Sequence, residues 1–233
     1  MHIVEPGVPH HICTRGNNRR RLFSYPYEFR QFLKLLKDSL VRCNCPLHQV
    51  TVMPNHVHLI ATPPEKDSLS EAMQLCLQRY AQRRNKRKNA SGRLFEERFW
   101  CDPLTTLESL EAITLYSDSN AIQASLVDHP ADHVWSTCAI HYGQPERTQV
   151  PLDMWTPSAW YSSLGPDAPL LYEERMNAYI NGRIPDWVAS ECAPSRAWHH
   201  LLTDGGFDAQ TDRQRAEIEK RSLRPRTRRI LIG

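Results

Sequence analysis

No run of apolar residues approaches the ~20 needed to cross a bilayer, and the mean hydropathy is −0.56, which excludes a helical membrane protein. The opening Met1-His2-Ile3-Val4-Glu5-Pro6 lacks the basic and apolar stretches of a secretory leader. Glycine is scarce, with 9 residues against 17 prolines, so neither a collagen-like nor a low-complexity chain is in question. The 7 cysteines, at 13, 43, 45, 76, 101, 138 and 192, are odd in number and without framework spacing. Cys43-Asn44-Cys45 is too close-set for a CxxC zinc knuckle. Reduced thiols and a cytoplasmic protein without a membrane partner are expected. No Gly-rich phosphate loop is present, so no nucleotide cofactor is expected.

What the chain does have is segregated charge. Residues 1–100 carry 17 Lys and Arg against 8 Asp and Glu, residues 101–208 carry 4 against 15, and residues 209–233 carry 8 against 3. A basic first part and a basic tail point to a polyanion, and solvated faces of opposite sign are the alternative.

The hydrophobic pattern predicts a strand at 9–15 ending at the turn Gly16-Asn17-Asn18. Phe29, Phe32, Leu33, Leu36 and Leu40 predict a helix over 27–43. Two apolar runs at 47–53 and 56–62 flank Pro54-Asn55 as a hairpin. A helix starts at Ser68, with Glu71 three residues on, and ends in Arg83-Arg84-Asn85-Lys86-Arg87-Lys88. A strand at 93–101 and a helix over 106–124 follow. The order β-α-β-β-α-β-α predicts an α+β chain of ferredoxin-like type. Its four-stranded antiparallel sheet has both crossover helices on one face, leaving the other for a ligand or a further helix. Three regions are expected: 1–143; an acidic Trp- and Pro-containing elaboration at 144–208, with a helix near 170–182; and a basic helix (209–222) and tail at 209–233.

The sharpest motif is Met53-Pro54-Asn55-His56-Val57-His58-Leu59. Alternate strand residues share a face, so His56 and His58 converge and can bind one metal ion, while Val57 and Leu59 enter the core. A pair of surface histidines is the alternative. Tyr116 and Asn120, at i and i+4, share one face of the later helix. The carboxamide is a competent ligand and the phenol a potential nucleophile; taken alone, the pattern favours an ordinary core tyrosine, one of eight in the chain.

Taken in order, Pro9-His10-His11-Ile12-Cys13-Thr14-Arg15-Gly16-Asn17-Asn18-Arg19, the Met53–Leu59 block, Gly92-Arg93-Leu94-Phe95-Glu96-Glu97-Arg98-Phe99, Tyr116-Ser117-Asp118-Ser119-Asn120 and Asp132-His133-Val134-Trp135-Ser136 resemble the single-tyrosine HUH transposases, in particular the REP-associated tyrosine transposases. The resemblance covers roughly residues 8–143. It implies a divalent metal (Mg²⁺ or Mn²⁺) on His56 and His58, with Asn120 as third ligand; by helix spacing Gln123, one turn on, is the next candidate. It implies Tyr116 as nucleophile, cutting single-stranded DNA beside a REP-like hairpin through a 5′-phosphotyrosine. It further implies a bacterial, nucleoid-associated protein acting as monomer or homodimer. The chain has Asn120-Ala121 where the family has Asn-Pro.

DNA phosphates are expected at Arg15, Arg19, Arg20 and Arg21, at Arg83, Arg84, Lys86, Arg87 and Lys88, and at Arg98. Asn17 and Asn18 are candidates for base edges or plain turn residues, and Arg98 for a bridge to Glu96 or Glu97. Two other readings stand beside the transesterase: a DNA-hairpin-binding protein with weak chemistry, and a metal hydrolase using water.

Overall fold

The computed structural model describes residues 4–181 apart from Glu97. The expected helix at 209–222, the basic tail and Cys192 lie outside the described residues. Strand β1 (His10–Arg15), helix α1 (Pro26–Arg42), strands β2 (Leu47–Val52) and β3 (His56–Ala61), helix α2 (Ser68–Lys88), strand β4 (Trp100–Pro103) and helix α3 (Leu107–Gln123) follow in the expected order. The strands form one antiparallel sheet, ordered β2-β3-β1-β4, which is the split βαβ arrangement. No helix among the described residues is long and apolar enough to cross a membrane.

Local chemistry sets the helix ends. Pro26 starts α1, and buried Glu28 reaches back to the Ser24 and Tyr25 N–H groups at 2.6 and 3.3 Å. At α3, Thr106 Oγ1 accepts from the Ser109 N–H at 3.1 Å and Ser109 Oγ accepts from the Thr106 N–H at 3.2 Å. The expected strand at 93–101 is a correction: only Trp100–Pro103 is strand. The reason is register: the ladder with β1 ends at Cys13 opposite Trp100, and the next bridge, Gly16 to Phe95, is two residues out of that register, so the residues between bulge out of the strand. Single bonds hold that segment instead, from Asn17 N–H to the Leu94 carbonyl and from Glu96 N–H to the Arg15 carbonyl, both 2.9 Å.

Strand alternation divides two cores. Ile12, Val50, Val52, Val57 and Leu59 pack with α1 and α2. On the opposite face lie His56, His58, Ile60, Gln49, Thr51, His11, Cys13 and Arg15, as the strand register requires. A further helix, α3, covers this face. Behind it stand α4 (Cys138–His141), α5 (Ala159–Ser163) and α6 (Ala168–Ile180), in a core that includes Leu110, Ile113, Tyr116, Trp160, Tyr172 and Met176. The outer edge of β2 is also capped: the Val52 and Thr156 N–H groups donate to the Trp135 and Leu47 carbonyls at 3.0 and 2.8 Å.

Asp118 ties α3 to both neighbours. Its Oδ1 accepts from Gln49 Nε2 at 3.0 Å and Thr51 Oγ1 at 3.2 Å. Its Oδ2 accepts from Tyr172 Oη at 2.8 Å and pairs with His141 Nδ1 at 2.8 Å. Two residues on from Tyr116, it faces away from the histidine pair and into this cluster, as helical geometry requires. Removing it leaves four buried polar groups without their partner. Asp118→Ala is expected to lower the unfolding free energy by about 3–5 kcal/mol in urea titration. A loss below about 1 kcal/mol would mean the carboxylate does not hold α3 in place.

Candidate active site and nucleic-acid interface

His56 and His58 are brought together, with ring centroids 5.0 Å apart at 84°. The ring of Tyr116 meets His58 edge-on at 5.4 Å. Asn120, one turn beyond Tyr116, lies 3.4 Å from His56 Nε2 through its Oδ1. Asn120 Nδ2 donates to the Tyr116 carbonyl at 2.8 Å, which fixes Oδ1 as the atom facing the imidazole. Four residues named from the sequence thus share one locus. Gln123 donates instead to Ser119 Oγ at 2.8 Å.

His56 has an unresolved hydrogen bond. Its Nδ1 meets Asn55 Oδ1 at 2.8 Å and its Nε2 meets Asn120 Oδ1. Both partners are acceptors, and a neutral imidazole carries one N–H. Burial, together with the charge of Arg15, lowers the His56 pKa to about 4, so the ring is neutral at pH 7. With the proton on Nδ1, a nitrogen lone pair and a carboxamide oxygen face each other. A cation between them removes that conflict, so the donor set fits a metal ion. Among the described residues no group of three or more His, Cys, Asp or Glu side chains is arranged for a metal; this set is two imidazoles and a carboxamide.

His11 lies in the first motif without an expected role. Its Nε2 lies 3.0 Å from His58 Nδ1, and the two rings stack at 5.2 Å. A His58 Nδ1–H donated to His11 leaves His58 Nε2 with its lone pair, the tautomer a metal ligand needs. The alternation on β1, which puts His11, Cys13 and Arg15 on the ligand face, was the available signal. Burial lowers the His11 pKa to about 4 and holds that of His58 well below 6.5. Tyr116 is 1% exposed. Burial, with Cys13 nearby, raises its phenol above the ordinary value of 10, so it is neutral at pH 7.

A sequence profile of IS200-like transposases matches residues 7–134, more than half of the chain. The chain belongs to the IS200-like transposase family. Among solved structures, a REP-associated tyrosine transposase bound to a REP hairpin shares this transposase's fold. Its TM-score is 0.54 at 15% identity, covering 68% of this chain and 90% of that chain. No functionally curated protein matches the chain in sequence.

The basic residues of the transposase divide by what they touch. Arg15 ends β1 directly across from His56, half-buried at the mouth of the site. Arg19, Arg20 and Arg21 are exposed on the turn that follows, where Asn18 and Arg19 have positive φ of 53° and 54°. Asn18 is exposed and Asn17 half-buried. Gly16 is obligatory there, because a Cβ would stand 2.2 Å from the Arg20 carbonyl. Arg84 is committed internally: Nε and Nη2 donate to the Leu22 and Arg21 carbonyls, both at 2.9 Å. Arg83, Lys86, Arg87, Lys88 and Arg98 are exposed.

The buried imidazoles give stability a defined pH dependence. The folded pKa of His11 and His56 is about 4, against 6.5 unfolded. Below about pH 6.5 the unfolded chain takes up protons that the folded chain refuses, so stability is full above that pH and falls toward pH 4. Each such group contributes at most about 1.4 kcal/mol per pH unit. Urea midpoints measured from pH 7.5 to 4.5 are expected to drop less steeply for His11→Gln than for the parent. Parallel profiles would show that His11 is not held neutral.

Proposed function

We propose that this transposase cuts and rejoins single-stranded DNA beside a hairpin, with Tyr116 as nucleophile and a divalent ion, Mg²⁺ or Mn²⁺, at His56, His58 and Asn120. The observation that carries the reading is the packing of Tyr116 on His58, with Asn120 Oδ1 opposed to a His56 lone pair. The solved relative of the same fold holds a REP hairpin, which supports a DNA hairpin as partner.

When bound, the ion supplies positive charge that polarises a phosphate oxygen. Arg15 adds a second positive charge beside His56. Tyr116 Oη attacks phosphorus; the new O–P bond forms as the P–O3′ bond breaks, and the phenolic proton ends on the departing 3′ oxygen. One phosphodiester replaces another, so strands can be rejoined without a nucleotide.

A hairpin-binding protein with weak chemistry is the second reading. The burial of Tyr116 and the Asn120-Ala121 pair favour it. The two part at one experiment: incubation with Mn²⁺ and labelled single-stranded hairpin DNA, then denaturing electrophoresis. A protein–DNA adduct mapped to Tyr116 and lost in Tyr116→Phe is expected, with hairpin binding retained. Binding without adduct would establish the second reading. Cleavage leaving a free 5′-phosphate, undiminished in Tyr116→Phe, would establish hydrolysis by water.

A further inference from the structure

Among the described residues, two aromatic rings are exposed, Tyr25 at 54% and Tyr27 at 41%. They stack on each other, with centroids 5.7 Å apart at 7°. Exposed aromatic surface in water is unfavourable, so a paired, near-parallel set needs a reason. The guanidinium of Arg87 lies over Tyr27 at 4.8 Å and the ammonium of Lys88 over Tyr25 at 5.5 Å.

The pair is rigidly built. Pro26 between the rings fixes the start of α1, and Glu28 holds the Ser24 and Tyr25 N–H groups. The other Glu28 oxygen is fully buried and draws Arg84, Arg87 and Lys88 to 4.0, 3.8 and 3.7 Å. One carboxylate therefore places both the rings and the cations upon them. Arg87 Nη2 is further fixed by Gln31 Oε1 at 2.6 Å.

Topology sets where this platform stands. β1 ends at Arg15 opposite His56, and the chain passes directly through residues 16–25 to α1. α2 runs back along the sheet to end at Lys88, before β4 begins opposite Cys13. The start of α1 and the end of α2 thus lie at the same end of the sheet as His56. Flat rings on a basic surface are what unpaired bases require: stacking on the π-face and cations for the phosphates. A duplex offers the cations its phosphates but hides its base faces.

We propose that Tyr25 and Tyr27 form a stacking platform for unpaired bases of single-stranded DNA, the bases taking the ring faces that Arg87 and Lys88 cover and these two cations moving to the adjacent phosphates. The choice of DNA rests on the function proposed above; the platform itself rests on the rings and their cations. The test is titration of the full chain into a short oligodeoxynucleotide carrying 2-aminopurine, beside a duplex of the same sequence. Tyr25→Ala and Tyr27→Ala are each expected to weaken single-strand binding roughly tenfold and to relieve 2-aminopurine quenching. Duplex affinity and the slope of log K against log salt should stay unchanged, since stacking releases no counterions. Tyr27→Phe and Tyr25→Trp should retain binding, which separates ring loss from misfolding.

Unchanged single-strand affinity in the alanine variants would overturn the platform. So would an equal loss for duplex, a reduced salt slope, or tighter binding of RNA of the same sequence. A parent chain that shows the ring dependence but forms no adduct at Tyr116 would leave the platform standing and overturn the proposed chemistry instead.

Discussion

The buried carboxylate of Asp118 sets the register of α3 on the sheet. Four partners from β2, α4 and α6 converge on its two oxygens. A buried charge is tolerated only when its lone pairs are filled, so α3 has few alternative positions. That register carries Tyr116 and Asn120, which reach the histidines only from this placement. The acidic region after residue 128, remote in sequence from the His56-Val57-His58 segment, therefore contributes to the site through His141 and Tyr172. The hydrophobic layers make the fold stable; the Asp118 cluster makes the placement of one helix specific.

Electrostatics within the site follow from the same burial. Three imidazoles, His11, His56 and His58, are kept neutral by desolvation, and at His56 and His58 the charge of Arg15 adds to it. Neutral imidazoles are metal ligands, while imidazolium is not. The conflict at His56, one proton between two carbonyl-type oxygens, is local and fixed by Asn55 and Asn120. It favours a cation at this point without any carboxylate in the set.

The fold was legible because its elements obey their own periodicities. Alternation in 56–61 separated His56 and His58 from Val57 and Leu59, and the i, i+4 spacing joined Tyr116 to Asn120. The strand at 93–101 misled because strand-forming composition does not encode register: the pairing with β1 slips by two residues between Trp100 and Phe95. His11 was missed because its role depends on a diagonal contact across β1 and β3, which no linear spacing encodes. Arg84 read as one more phosphate contact; two of its five N–H donors go to the carbonyls of Arg21 and Leu22, a contact that no local pattern encodes. The Asp118 cluster joins residues 49 to 172 and was equally invisible to local pattern.

One face of the sheet, closed by α3, is the proposed metal and phosphate site. Anomalous scattering from crystals soaked in Mn²⁺ tests this most directly. A single strong peak bounded by His56 Nε2, His58 Nε2 and Asn120 Oδ1 is predicted, absent in Asn120→Ala and retained in Tyr116→Phe. A peak elsewhere on the chain, or none between the histidines at saturating Mn²⁺, would contradict it.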